Sequence, residues 1–333
     1  MCAPRVRGAR ELTTTGERHD TLAVEVRVAK SLMKWNSDGV AQWAVEAPTE
    51  GAVLVHSLRG FLDAGKAGAI VAEHLRSFET INIATFDIDA LLDYRSRRPE
   101  MTFSVNEWTA YDEPHLDLDM VRDAAGTPFL LLHGFEPDVK WERYIRSVRT
   151  IVDRLGIGLT LGTHGIPMAA PHTRPISATV HGTRQDLLPD MPSLFGTVTV
   201  PASAQNLMEY RFGQWDLAAV NVAVHVPHYL AQSAYPQAAQ RALQGIEDIS
   251  GLDLRPSDLD EATARAREEI DRQMGESEEI QALVGVLEEQ YDAVVEARGT
   301  GLPLDGELPS ADELGAEFEK FLAQQRWDQP PNP

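Results

Sequence analysis

A three-layer α/β/α fold with a mostly parallel or mixed central sheet and a C-terminal helical appendage is what this sequence predicts, and three observations predict it. The apolar run Ala52-Val53-Leu54-Val55, a glycine turn and an amphipathic stretch with Ala67, Ile70, Val71, Leu75 and Phe78 on one face follow one another directly. Strand and helix periods then alternate as far as about residue 250, the pattern of one sheet covered on both faces. Beyond Gly251 the period is helical alone, and the composition turns acidic.

Taken in order, residues 1–45 read as a partly disordered N-terminal extension with one strand-like stretch, Leu22 to Val28. Residues 46–259 form the α/β domain. Its strands are expected at Ala52–His56, Thr80–Phe86, Met101–Trp108, Phe129–His133, Ile157–Thr163, Ile176–Val180 and Leu217–Val224, and its helices at Lys66–Phe78, Val139–Leu155, Ala202–Phe212 and Pro236–Ile249. The clearest helix is the one from 139, whose Trp141, Tyr144, Ile145, Val148, Ile151, Val152 and Leu155 recur at intervals of three and four. Residues 260–326 are acidic helices: Ile280, Leu283, Val284, Leu287, Tyr291, Val294 and Val295 make one apolar seam. A second short helix presents Leu314, Phe318, Phe321 and Leu322, and the pair is expected to form a hairpin. Residues 327–333 read as a disordered tail.

Composition excludes several functions. The 333 residues are 43% hydrophobic and 24% charged, ordinary for a globular protein, and contain neither a transmembrane run nor a signal peptide, so the expected location is cytoplasmic. A single cysteine, Cys2, rules out an internal disulfide or a cysteine metal cluster. Of the net charge of −21, residues 251–333 supply −14, from 21 acids against 7 bases. Nothing here offers the basic footprint that nucleic acid requires.

Gly60-Phe61-Leu62-Asp63-Ala64-Gly65-Lys66-Ala67 lies within one residue of a P-loop, yet position 67 lacks the hydroxyl that would hold magnesium. Asp63 puts an acid where a phosphate would sit, and no Asp follows the strand ending at Leu132. The bland reading is that Gly60 and Gly65 make a tight turn and Asp63 caps the helix beginning near Gly65 or Lys66. Gly-x-Ser-x-Gly is missing, and the glycines at 156, 158 and 162 stand before and within a strand, the wrong place for a dinucleotide. No catalytic group is assigned, no cofactor or metal is expected, and the balance is against an enzyme.

Four further polar clusters fall at element ends: Tyr94-Arg95-Ser96-Arg97-Arg98-Pro99, His133-Gly134-Phe135-Glu136-Pro137-Asp138-Val139-Lys140-Trp141, Pro171-His172-Thr173-Arg174-Pro175 and Val226-Pro227-His228-Tyr229. Together with the Gly60–Gly68 turn, their types and order resemble the proteasome assembly chaperone 2 family over roughly Ala52 to Leu259. The resemblance implies a three-layer fold related to purine nucleoside phosphorylases and self-association; together with the acid-flanked seam of Ile280, Leu287 and Tyr291, it leads to the expectation of a homotrimer before a dimer. It also implies a link to the proteasome, which eukaryotic and archaeal relatives help to assemble. Archaeal relatives dock through a C-terminal hydrophobic-Tyr-any tripeptide, whereas this chain ends Pro331-Asn332-Pro333, a departure that counts against docking by the tail.

Asp63, Lys66, Arg95, Arg98, Glu136, Asp138, His172, Arg174 and His228 are the candidate ligand-binding residues, and each also has a structural reading. Asp138 would cap the helix from 139, with Glu136 favouring its dipole. His172 and Arg174 sit in a Pro-bounded loop suited equally to a ligand or to bracing. The arginines at 95, 97 and 98 could share an anion or pair with acids. His225 and His228 have a metal-pair spacing that Pro227 spoils. Two readings remain open: a scaffold or assembly factor that self-associates and binds a protein, and a phosphorylase-like protein or enzyme whose strand ends hold an anionic or nucleoside-like ligand.

Overall fold

The structure is a computed structural model, and it describes residues 31–49, 51–60, 62–189, 197–275 and 278–300. The expected strand at 22–28, the helix at 314–322 and the tail lie outside the described residues. The elements, all within residues 32–333, are β1 (Met33–Trp35), α1 (Ser37–Glu46), β2 (Val53–Arg59), α2 (Ala67–Leu75), β3 (Thr80–Phe86), β4 (Met101–Ser104), β5 (Glu107–Tyr111), β6 (Leu116–Arg122), β7 (Pro128–Phe135), α3 (Trp141–Leu155), β8 (Leu159–Met168), β9 (Ala178–Gly182), α4 (Ala204–Gln214), β10 (Ala219–Pro227), α5 (Pro236–Ser250), α6 (Asp260–Gly275) and α7 (Glu278–Thr300).

Eight strands form one mixed sheet in the order β1-β3-β6-β7-β2-β8-β10-β9. Its centre, β7, β2, β8 and β10, is parallel, and the flanking strands on both sides run antiparallel. Central strands buried on both faces need apolar side chains in both directions, and β2, β7 and β10 supply them in near-continuous runs. One face packs under α1, α3 and α4, around Leu54, Leu118, Leu130, Tyr144, Val148 and Phe212. The other packs under α2, α5 and α6, around Val55, Val71, Leu131, Val222, Leu243 and Ile270. This is the expected three-layer α/β/α arrangement.

Local chemistry sets the ends of the helices. In α3 the apolar residues at 144, 145, 148, 151, 152 and 155 are buried, and Gly156 closes the helix at φ 69°. The helix α5 starts on Pro236 and stops at Gly251, φ 73°.

Two expectations are corrected. The α/β unit begins at Leu32 and not at 46: β1 extends the sheet beside β3, and Trp43 of α1 donates its indole N–H to Leu155 O at 3.0 Å. Met101–Trp108 is not one strand but a hairpin, β4 and β5, turning at Val105 and Asn106. In the apolar seam of α7, Val284 and Leu287 are buried within their own chain and the Tyr291 hydroxyl donates to Pro175 O, while Val295 is exposed.

Candidate functional site

The parallel strands β2, β7, β8 and β10 all end at the same edge of the sheet, so the segments after them meet there. These are Gly60 with residues 62–66, the turn at 136–140, the loop at 169–177 and the turn at 228–235. Backbone bonds knit the first to the last: Gly65 N–H donates to Ala231 O and Tyr235 N–H donates to Gly65 O, both at 2.8 Å. Open α/β sheets bind ligands at such an edge, with helix N-termini aimed at the anionic part.

Here the chain occupies the N-termini of α2 and α4 with its own carboxylates. Asp63 accepts from Gly68 N–H at 2.7 Å, Ala69 N–H at 3.0 Å and, from β8, Gly165 N–H at 3.4 Å. It performs the cap the sequence assigned to it, on a helix that starts at Ala67 after a tight turn with Gly65 at φ 68°. Burial pushes its carboxyl up to about 6, against the pull of those three N–H groups. Glu136 does the same for α4: its Oε1 accepts from Ala204 N–H at 2.7 Å and Gln205 N–H at 3.4 Å. A Cβ on Gly60 would meet Glu136 Oε2, so a side chain there would have to displace the carboxylate that caps α4. What is left between Leu58, Gly60, Leu62, Glu136, His164, Ser203 and Gln205 is a cleft with room for about one water molecule.

The other candidates are dispersed. Asp138 does not cap α3, whose N-cap is Lys140 at φ 60° with no side-chain bond. Its carboxylate is instead held by Arg97 at 2.6 Å and by Asp93 N–H at 2.9 Å. Lys66 is exposed, Arg95 pairs with neighbouring Asp93 on the surface, and Arg98 is exposed with no ion pair among the described residues. His172 is buried: the Tyr229 hydroxyl donates to its Nδ1 at 2.7 Å and accepts its backbone N–H at 2.9 Å, leaving Nε2 for Asp271 of α6 at 3.3 Å. Arg174 makes a two-pronged contact with Asp292 of α7, 2.8 and 2.7 Å, and a third with Glu288 at 3.1 Å. The Asp292 hydrogen bond, added to the charges of both acids, raises its already high pKa. His228 is exposed and meets the Tyr229 ring edge-on. Asp63, His172 and Arg174 are thus each engaged by groups of their own chain, and Arg98 stands exposed. Among the described residues no cluster of His, Cys, Asp or Glu could hold a metal ion, and no helix is long and apolar enough to cross a membrane.

A second polar feature was not anticipated. His56 of β2, Gly162 of β8, Asn221 of β10 and His181 of β9 stand in register across four strands, with His164 two residues further along β8. The α4 residues Gln205 and Glu209, one turn apart, cover this row. Gln205 donates to Asn221 Oδ1 at 2.9 Å and contacts His164 Nδ1 at 3.2 Å; Asn221 donates to Glu209, which also accepts from His181 Nδ1 at 3.0 Å. The signal was present in the sequence as histidine or asparagine at inward positions of apolar strands.

Comparison with known proteins supplies the wider context. A family model described as the PAC2 family matches residues 57–274. A Mycobacterium tuberculosis protein of unknown function is similar at 43% identity and TM-score 0.78, over 89% of this chain and 97% of that one. A Corynebacterium glutamicum protein of unknown function is similar at 36% identity and TM-score 0.73, over 80% and 98%. A Mycobacterium tuberculosis proteasome-assembly chaperone homologue shares the fold at 21% identity and TM-score 0.63, over 70% and 99%. No curated protein matches.

Proposed function

The chain belongs to the PAC2 family, and on that footing we propose that it is a non-enzymatic, assembly-chaperone-like or scaffold protein that self-associates and binds a protein partner. The observation that carries this reading is the filled strand edge. Asp63 and Glu136 hold the backbone donors that a phosphate or carboxylate ligand would need, and the remaining cleft is far smaller than the several hundred Å³ of an ordinary small-molecule pocket.

Self-association is supported by the β4–β5 hairpin. Across its ladder Met101 pairs with Tyr111 and Phe103 with Trp108, and the irregularity opposite Thr102 and Phe103 brings two aromatic residues three apart in β5 onto one face. Trp108 is 63% and Phe103 56% exposed, their rings 5.1 Å apart. A bare two-stranded hairpin is marginal in water, and four large apolar side chains expose several hundred Å², a large part of the ~800 Å² per partner of a standard interface. A second copy is the occupant we assign, in a homotrimer before a dimer. Proteasome subunits head the list of further partners, because one structural relative is a proteasome-assembly chaperone homologue. Sedimentation equilibrium tests the assignment: the natural chain should exceed monomer mass at micromolar concentration and Trp108→Glu should be monomeric, whereas a monomeric natural chain would overturn it.

A further inference from the structure

Neither the strand edge nor the hairpin accounts for the polar row beneath α4. Replacing His56, His164, Asn221, Gln205 and Glu209 by aliphatic residues would suit an α/β core better, since each buried polar group costs stability unless it is fully bonded. The row is not fully bonded. His56 is 1% exposed, and its Nδ1 has no hydrogen-bond partner. The bare Gly162 lets His56 and Asn221 approach over it; a Cβ at that position would collide with both.

The attachments of α4 are unequal. Its apolar underside is Ala204, Met208 and Phe212, while Gln205 and Glu209 rest on the histidine row. Its N-terminus is held by two oxygens, Glu136 Oε1 and the Ser203 hydroxyl, which accepts from Asn206 N–H at 3.0 Å. Residues 197–202, which lead into it, make no backbone hydrogen bond among the described residues. Of the strands below, β2, β8 and β10 are each fixed by ladders on both sides, and the edge strand β9 by one, to β10. If this layer parts, α4 is the element that moves, restrained on its α3 side by the partly exposed pair Arg211–Glu142.

We infer that α4 is an acid-sensitive latch: proton uptake by His56 and His164 lifts it from the sheet and opens the cleft at Gly60, Glu136 and Ser203. The charged and titratable groups facing these two rings come from each neighbouring element. His56 faces Glu209 from α4 and His164 from β8; His164 faces Glu209 and, from β9, His181, and it borders the Glu136 cleft. One carboxylate, Glu209, faces both imidazoles and is already engaged by His181 and Asn221, so two imidazolium ions here would be undercompensated. Burial holds both rings neutral, down to about 4, with Glu209 opposing the shift in each case. Acid therefore strains this contact before it affects the apolar layers.

The test is hydrogen exchange by mass spectrometry on the full chain at pH 7 and pH 4.5, corrected for intrinsic rates. The α4 peptides should exchange at least tenfold faster at pH 4.5 while those of β2, β7 and β8 keep their protection. His56→Gln combined with His164→Gln should abolish the acceleration. Loss of protection throughout the sheet together with α4, or an unchanged acceleration in the double variant, would overturn the latch. Should that variant not fold, the natural chain decides by NMR of labelled histidines: the protonation midpoints of His56 and His164 should coincide with the midpoint of α4 opening, and separate midpoints overturn it.

Discussion

Asp63 places a carboxylate oxygen 2.7 Å from the backbone nitrogen of Gly68, at the helix end where a nucleotide-binding loop would hold a phosphate. The contact is built from a residue five positions upstream and closes the site from within. Asp63→Ala should cost about 1 kcal/mol, within the range for a lost helix cap. Because the carboxyl is raised from 3.8 to about 6 in the folded chain, the proton-linked part of its contribution to stability is full below pH 4 and is lost as pH rises through 6. Thermal unfolding of the natural chain and of Asp63→Asn, which cannot titrate, should diverge between pH 4 and 7, the natural chain losing ground as pH rises. A pH-independent difference would show that Asp63 does not titrate as assigned.

Gly60→Ala sets a methyl against Glu136 Oε2. Overpacking of this kind costs about 1–3 kcal/mol, and urea titration should register it as a lower midpoint with an unchanged slope. Pairing the change with Glu136→Ala should give less than the sum of the two single losses, because the clash disappears with the side chain. Strict additivity would mean the two residues do not meet.

Arg174 fastens α7 to the loop after β8 through Asp292 and Glu288, at a solvent-screened position where ion pairs add little to global stability. Arg174→Gln should therefore leave global unfolding nearly unchanged while raising exchange in α7 several-fold, and 1 M salt should do the same to the natural chain. Unchanged exchange in both would place the hold on α7 in Val284 and Leu287 instead.

The layers were legible in the sequence because periodicity is local. Thr80–Phe86 and the helix from Pro236 announce themselves by their spacing and end signals. Two elements were not. β6, with Asp117 and Asp119 alternating among apolar residues, looks too charged for a strand, but Thr85 donates to Asp117 while Asn82 and His133 meet Asp119. α1 lies in a stretch whose Gly39 reads as a breaker, yet that glycine is needed where the helix crosses Asn82 O. The site divided along the same line. Asp63 was readable as a cap because its helix follows it immediately; Glu136 was assigned to the helix next to it, whereas it caps one that begins 68 residues later. Only folding brings those two segments together, and the same is true of Arg174 with Asp292.

Titration calorimetry with Mg-ATP, inorganic phosphate and a nucleoside, on the natural chain and on Asp63→Ala, tests the filled strand edge most directly. The natural chain should show no binding at millimolar ligand and no hydrolysis of ATP. Micromolar binding by the natural chain that vanishes in Asp63→Ala would contradict this, and would make the strand edge a working ligand site.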